Sequence, residues 1–310
     1  MKLLGAFFKL IRWPNLIFIV LTQTLFFTCV LPFVFRTSEE PRFYNLSLLN
    51  FSLIILASVC IAAAGYIIND YFDLNIDQVN KPEHLIIEKY IKRRWAILLH
   101  LILSLAGFII SCYVGYRLKN IYLPFFNLIA IAFLWFYSTT FKRKLLIGNI
   151  IISLLTAWVI LVIMVAEYKT IMAFSVKTRL FKISLLYAGF AFVISLIREV
   201  IKDMEDLPGD IKYNCKTMPI VWGIQVSKVF VAVWMVVLCG TVTVLQFYVL
   251  QLGWWFSGVY CIAFIIIPLC WILKKLYESQ NTTNYHQLST AVKFVMLSGI
   301  ISMIFFRIYL

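Results

Sequence analysis

The chain has 310 residues, of which 63% are hydrophobic and only 14% charged, and its mean hydropathy is +0.92. Soluble globular domains carry roughly 25% charged residues, so these values exclude one and point to a polytopic membrane protein. The net charge of +14 does not mark a nucleic-acid binder, because the Lys and Arg residues sit in short connections between apolar runs and form no basic domain.

A helix needs roughly 20 apolar residues to cross about 30 Å of hydrocarbon, and its backbone amides must be satisfied within the segment. Nine spans are expected, near 15–35, 48–68, 95–116, 121–138, 146–166, 183–197, 229–250, 253–273 and 291–310, the sixth being the shortest. The first follows "MKLLGAFFKLIRWPN", which is amphipathic and basic; no small-residue cleavage site ends the span, so it reads as retained. With the N-terminus placed inside, 18 Lys and Arg residues fall in inner segments and 7 in outer ones. The positive-inside rule then puts the N-terminus in the cytoplasm, of a membrane expected to be a prokaryotic plasma membrane.

The second span, "SLIILASVCIAAAGYII", runs straight into "NDYFDLNIDQVNKPEH". Asn69, Asp73 and Asp77 recur at the spacing that lines one helical stripe, Asp70 stands beside it, and Lys81 follows four residues later. The fourth span ends in "YSTTFKRK", which brings Lys142, Arg143 and Lys144 to the same membrane face. The sixth ends in "IREVIKDMEDLPGDIKYNCKTMPIVWG", with Glu199, Asp203, Glu205, Asp206 and Asp210. Asp203 and Asp206 share a stripe, and Pro208-Gly209 is expected to turn the chain so that Asp210 points back from a bend.

One reading of such rows is a solvated helix end. It fits poorly, because like charges three and four residues apart repel, and the apolar run before them holds them near a low-dielectric boundary. Something positive must neutralise them. Neighbouring bases could supply part of that charge, but oxygen-only clusters on two helices are what Mg²⁺ prefers, with one or two carboxylates completed by substrate phosphate oxygens. Lys142 and Arg143 lie where a diphosphate needs cationic partners, whereas topology alone accounts equally well for Lys144. Metals, anion binders and a cavity at lipid depth together suit a diphosphate attached to a hydrocarbon tail.

Other motifs carry less. The seven cysteines include no C-x-x-C pair and read as ordinary small apolar residues. His84, His100 and His286 are too scattered for a zinc site, no glycine-rich phosphate loop is present, and the sequon Asn45-Leu46-Ser47 carries little weight.

"NDYFDLNID" and "DMEDLPGD", at the ends of the second and sixth of nine spans, resemble the two aspartate motifs of the UbiA superfamily of intramembrane prenyltransferases, and "RWPN", "YSTTFKRK" and "KTMPIVWG" agree with weaker family patterns. The resemblance covers nearly the whole chain. It implies an all-α fold, a bundle of nine transmembrane helices around a central cavity, in one domain of two pseudo-repeated halves (about 1–145 and 146–310). It also implies two Mg²⁺ ions bridging the motifs to an isoprenyl diphosphate donor. Carried over by position, Asn69, Asp73 and Asp77 serve the first metal, Asp206 and Asp210 the second, with Asp70 and Asp203 also at motif positions. Asp73 and Asp206 are the expected catalytic carboxylates, and Lys81, Lys142 and Arg143 the diphosphate binders. Within the superfamily, "IREVIKDMEDLPGDIKYNCKTMPI" is most similar to the type that places a geranylgeranyl group on a glycerol hydroxyl of a prenylglyceryl phosphate. One position departs: the family usually has an arginine after "NDYFDLNIDQVN", where Lys81 keeps the charge without the bidentate fork. An aromatic acceptor is the neighbouring alternative. A transporter is a more distant one, since its coupling groups belong near the midplane rather than at one face.

Overall fold

The computed structural model describes residues 2–36, 46–80, 82, 85–168, 171 and 174–310. Among these, nine helices are long and apolar enough to cross a membrane: Trp13–Arg36, Leu48–Asn80, Arg93–Arg117, Tyr122–Thr139, Ile147–Tyr168, Phe174–Glu205, Ile224–Gln251, Trp255–Glu278 and Thr282–Ile308. The only extended pairing among the described residues is one bridge, Ile87 to Ile91, in the connection after the second span. The count matches the sequence reading; two lengths do not. The sixth span is not the shortest but covers 32 residues, and the second covers 33. Hydropathy falls where Lys177, Arg179 and Lys182 enter at one end and the acids at the other, yet the helix continues, because long basic side chains can hold their charges at the interface while their stems cover apolar surface. The second span likewise runs past Ile68 to Asn80, ~18 Å of further helix at 1.5 Å per residue.

The second span packs on the first, third, fourth and fifth; the sixth packs on the fifth, seventh and ninth. Together with the first and fifth, these two long helices are the more enclosed spans. The sixth to ninth spans close around Ile197, Val200, Val231, Leu269, Ile272 and Val292. Two further apolar clusters complete the packing: one around Phe26, Leu31, Phe51 and Ile163 joins the first spans to the fifth, sixth and ninth, and one around Leu10, Ile67, Leu74 and Ala96 packs the N-terminal spans together. Large exposed side chains such as Leu105, Ile109, Phe125, Val233, Val236 and Val244 face outward, as a lipid-facing surface requires.

Two spans contain a π turn, Phe26–Val30 in the first and Ile262–Ile266 in the eighth, and each lies just before a proline, Pro32 and Pro268. A proline inside a helix lacks the amide donor and crowds the carbonyl four residues back, and a widened turn relieves that crowding without ending the helix.

Candidate functional site

Both acidic motifs lie at the same end of the bundle, and protein cations reach into them. Asp73 is buried, 3% exposed, and its carboxylate accepts from the Lys142 ammonium. Lys142 stands in a single 3-10 turn, Phe141–Arg143, between the fourth and fifth spans. Gly148 lets that turn lie close to the fifth span, since a Cβ there would come within 2.9 Å of the Phe141 carbonyl oxygen. Burial alone would lower the Lys142 ammonium, but the charges of Asp73 and Asp77 and the hydrogen bond to Asp73 outweigh it and raise it well above the ordinary lysine range. Asp70 turns to the other side, where Arg12 donates to it at 2.6 Å and lies over the Tyr66 ring at 5.4 Å. Arg12 has a left-handed backbone, φ 50°, immediately before Trp13 and Pro14 open the first span. Proline is favoured in a first helical turn, where its missing amide costs no hydrogen bond.

In the second motif, Asp203 accepts from Asn149 Nδ2 at 2.8 Å. Glu199 accepts from Arg198 at 2.9 Å and Lys202 at 3.4 Å, and Glu205 pairs with His286 Nδ1 at 3.0 Å. The helix of the sixth span ends at Glu205, and a short helix, Leu207–Lys212, follows with Pro208 in its first turn. The bend thus falls at Asp206, not at Pro208-Gly209, because a proline there starts a helix rather than stopping one. Asp210 rides on the short helix and is buried, 6% exposed. Burial pushes its carboxyl up to about 6; the Asp206 and Asp73 charges add to the rise, and Lys142 opposes it.

A clasp joins the motifs. Asn80, the last residue of the second span, donates from Nδ2 to the Asp206 carbonyl at 2.9 Å and accepts at Oδ1 from the Gly209 amide at 2.8 Å. The Lys216 amide donates to the Arg143 carbonyl at 2.9 Å, tying the turn that carries Lys142 to the same loop. Gly209 has no room for a side chain: a Cβ would meet the Asn80 amide at 2.5 Å. Gly209→Ala is therefore expected to break both bonds, lower the melting midpoint by the equivalent of about 1–3 kcal/mol and cut turnover at least about tenfold by separating the motifs. Wild-type turnover in that variant would show that the clasp is dispensable.

Among the described residues, no three Asp, Glu, His or Cys side chains stand close enough together to hold a metal by themselves. The donor set nonetheless suits Mg²⁺, which completes its octahedron with water and phosphate oxygens. Every carboxylate here is an oxygen donor, and Asn69 Oδ1 is buried without a hydrogen-bond partner, an acceptor still to be satisfied. Of the expected diphosphate binders, Lys142 lies between the motifs, within electrostatic reach of Asp73, Asp77 and Asp210. Arg143 is exposed and makes no ion pair among the described residues, and Lys81, like His84, lies outside them. Sequence reading missed Arg12, Asn80, Asn149, Tyr66 and Tyr137 as parts of the site. Arg12, Asn80 and Tyr137 lie inside the stretches "RWPN", "NDYFDLNIDQVN" and "YSTTFKRK", which gave no partner for any of them.

The profile described as "UbiA prenyltransferase family" matches residues 19–299. The digeranylgeranylglyceryl phosphate synthase of Methanosphaera stadtmanae is 29% identical over 258 residues, which cover 80% of this chain and 86% of that one. A structure described as "Structural and mechanistic insights into the biosynthesis of Digeranylgeranylglyceryl phosphate synthase in membranes" superposes with a TM-score of 0.63 at 24% identity, covering 98% of this chain and 99% of the other. A UbiA homolog from Archaeoglobus fulgidus bound to GPP and Mg²⁺ superposes with a TM-score of 0.54 at 14% identity, covering 96% and 99%.

Proposed function

The chain belongs to the UbiA prenyltransferase family, an integral membrane enzyme by that membership and by its nine apolar spans, and from this premise we propose that it transfers a prenyl group, of geranylgeranyl type, from its diphosphate to the hydroxyl of a prenylglyceryl phosphate, forming an ether lipid. The observation that carries the acceptor is the likeness, over four fifths of the chain, to digeranylgeranylglyceryl phosphate synthase. We further propose the two pseudo-repeated halves, about 1–145 and 146–310: the long second and sixth spans end alike in an acidic motif.

In this reading Asn69, Asp73 and Asp77 hold one Mg²⁺, and Asp206 and Asp210 a second. Asp70 and Asp203 complete the set, kept in place by Arg12 and Asn149. The bound Mg²⁺ ions neutralise the charge that grows on a departing diphosphate. Lys142, central to both motifs, donates to the same diphosphate oxygens and stabilises them where charge develops, joined by Arg143 and, by its position in the sequence motif, Lys81. The apolar spans keep water from the allylic cation until the acceptor hydroxyl attacks C1 of the donor. The carbon–oxygen bond to diphosphate breaks, the ether bond forms, and the hydroxyl proton leaves to a motif carboxylate or to diphosphate.

The test is incubation of purified protein in detergent with Mg²⁺, labelled geranylgeranyl diphosphate and two acceptors, a prenylglyceryl phosphate and 4-hydroxybenzoate. A labelled ether lipid is expected; label in the aromatic acceptor alone would replace this reading with an aryl prenyltransferase. We also propose that both motifs face the cytoplasm, which the distribution of Lys and Arg supports. In a background without native cysteines, Lys212→Cys is expected to react with a membrane-impermeant maleimide only from the cytoplasmic side, and Lys119→Cys, in an exposed connection after the third span, only from outside. Reaction of both from one side would refute the orientation.

A further inference from the structure

Beside the aspartates, on the face of the sixth span that looks toward the first and ninth spans, four basic side chains gather where charges are costly. Lys293 is partly buried well inside the ninth span and lies within electrostatic reach of Arg198, Lys202 and Arg12. Lys202 in turn feels Arg198 and Arg12. Two carboxylates answer these four cations: Asp70 pairs with Arg12, and the single Glu199 is shared by Arg198 and Lys202. Asp206 is also within reach of Lys202 and Asp77 of Arg12, but both, like Asp70 itself, belong to the proposed metal set, so their charge is shared with the metal. Among the described residues Lys293 has no ion-pair partner, and Arg198 Nε is buried with no acceptor. The cluster is therefore short by two negative charges and at least one acceptor. An ionisable residue at membrane depth without its counterion marks a ligand site, and a phosphate monoester brings roughly −1.5 to −2 charges and three acceptor oxygens at neutral pH.

What lies below the cluster is apolar. Ile194 precedes Arg198 by one turn, Met296 follows Lys293 by one turn, and both line a cavity of about 80 Å³ with Phe18 and Ile19 of the first span. Through Tyr187, Phe190 and Gly299 it adjoins a larger apolar chamber of about 390 Å³ among the sixth to ninth spans. The layout is cationic at the rim and hydrocarbon below, the inverse of a phosphorylated prenyl lipid. Glu199 reaches both groups, being within electrostatic range of Lys142 as well as of Arg198, Lys202 and Lys293, so a head group held here stands beside the diphosphate site.

We propose that Arg12, Arg198, Lys202 and Lys293 form the subsite for the phosphate monoester of the acceptor, with its prenyl chain in the apolar cavity one turn deeper. This inference rests on the ether-lipid reading and adds the residues that select a phosphorylated acceptor. The same cations could instead serve the donor's diphosphate, and the two are separable. KM is measured for prenylglyceryl phosphate, for the same lipid lacking its phosphate, and for geranylgeranyl diphosphate, in wild type, Lys293→Met, Arg198→Gln and the charge-keeping Lys293→Arg. Lys293→Met and Arg198→Gln are each expected to raise KM for the phosphorylated acceptor at least about tenfold, the loss of one charge-assisted hydrogen bond. The preference for the phosphorylated over the dephosphorylated acceptor falls by the same factor, KM for the donor stays within about twofold, and Lys293→Arg keeps the preference. The two losses lie on different spans, so if one variant misfolds the other decides. An unchanged preference in a variant that melts like wild type, or a rise confined to the donor, overturns the proposal while leaving the ether-lipid function standing. Wild type that forms no ether lipid and prenylates 4-hydroxybenzoate overturns both.

Discussion

Asp73→Asn and Asp206→Asn each lower turnover at least about a hundredfold. Asparagine keeps the size and one hydrogen-bonding oxygen but removes the charge that a divalent ion needs, and a metal-assisted contribution to the transition state is worth several kcal/mol, of which 2.7 correspond to about a hundredfold. The structure separates this from a folding effect. Asp73 is buried against Lys142, and breaking a buried ion pair from one side costs up to about 3–5 kcal/mol. Here the loss is smaller, because Lys142 remains within reach of Asp77 and Asp210. Asp73→Asn therefore melts somewhat earlier than wild type yet folds, and adding Lys142→Met returns part of the stability without returning activity. Asp206 is only half-buried, so its variant is expected to melt close to wild type. Glu278→Gln, an exposed acid paired with Lys275 outside both motifs, leaves turnover nearly intact. Rates are compared per folded molecule; variants that keep full specific activity but insert or fold poorly would make these carboxylates structural.

Removing divalent metal with EDTA abolishes turnover, and Mg²⁺ added in excess restores it. The carboxylates cannot approach a diphosphate directly, since both carry negative charge, and Lys142 with its neighbours cannot offset two motifs and two phosphates at once. The fold survives EDTA, because Asp70, Asp73 and Glu199 are already answered by Arg12, Lys142, Arg198 and Lys202. Circular dichroism and the melting midpoint are expected to change little while product formation stops. Full turnover in EDTA would end the two-metal reading.

The number of spans was legible because hydrocarbon thickness fixes a length that any apolar run must meet. Their true ends were not, since a hydropathy count stops at the first charges while the helix of the second span continues to Asn80 and that of the sixth begins at Phe174. The acids and Lys142 were legible from their spacing and from the face they share. Their partners were not: Arg12 meets Asp70 across 58 residues, and Asn80 meets Asp206 across 126, separations that leave no local pattern. Repulsion within the acidic rows does demand positive charge, and the protein itself supplies more of it than the spacing of the acids reveals. Asp70 and Asp73 each already hold a basic side chain, and Asp203 holds an amide.

Lys142 also bears on the order in which ligands arrive. Its ammonium serves as a built-in counterion for Asp73, so at the proposed site a metal ion arriving alone would compete with that charge. A diphosphate arriving with the metal gives that ammonium a new anion to face, and the competition becomes cooperation. Metal and donor are then thermodynamically linked, each tightening the other by the same factor. Titration calorimetry is expected to show weak binding of free Mg²⁺, weak binding of the donor without Mg²⁺ and strong binding of the pair, so that the leaving group is activated only when a substrate is there to ionise.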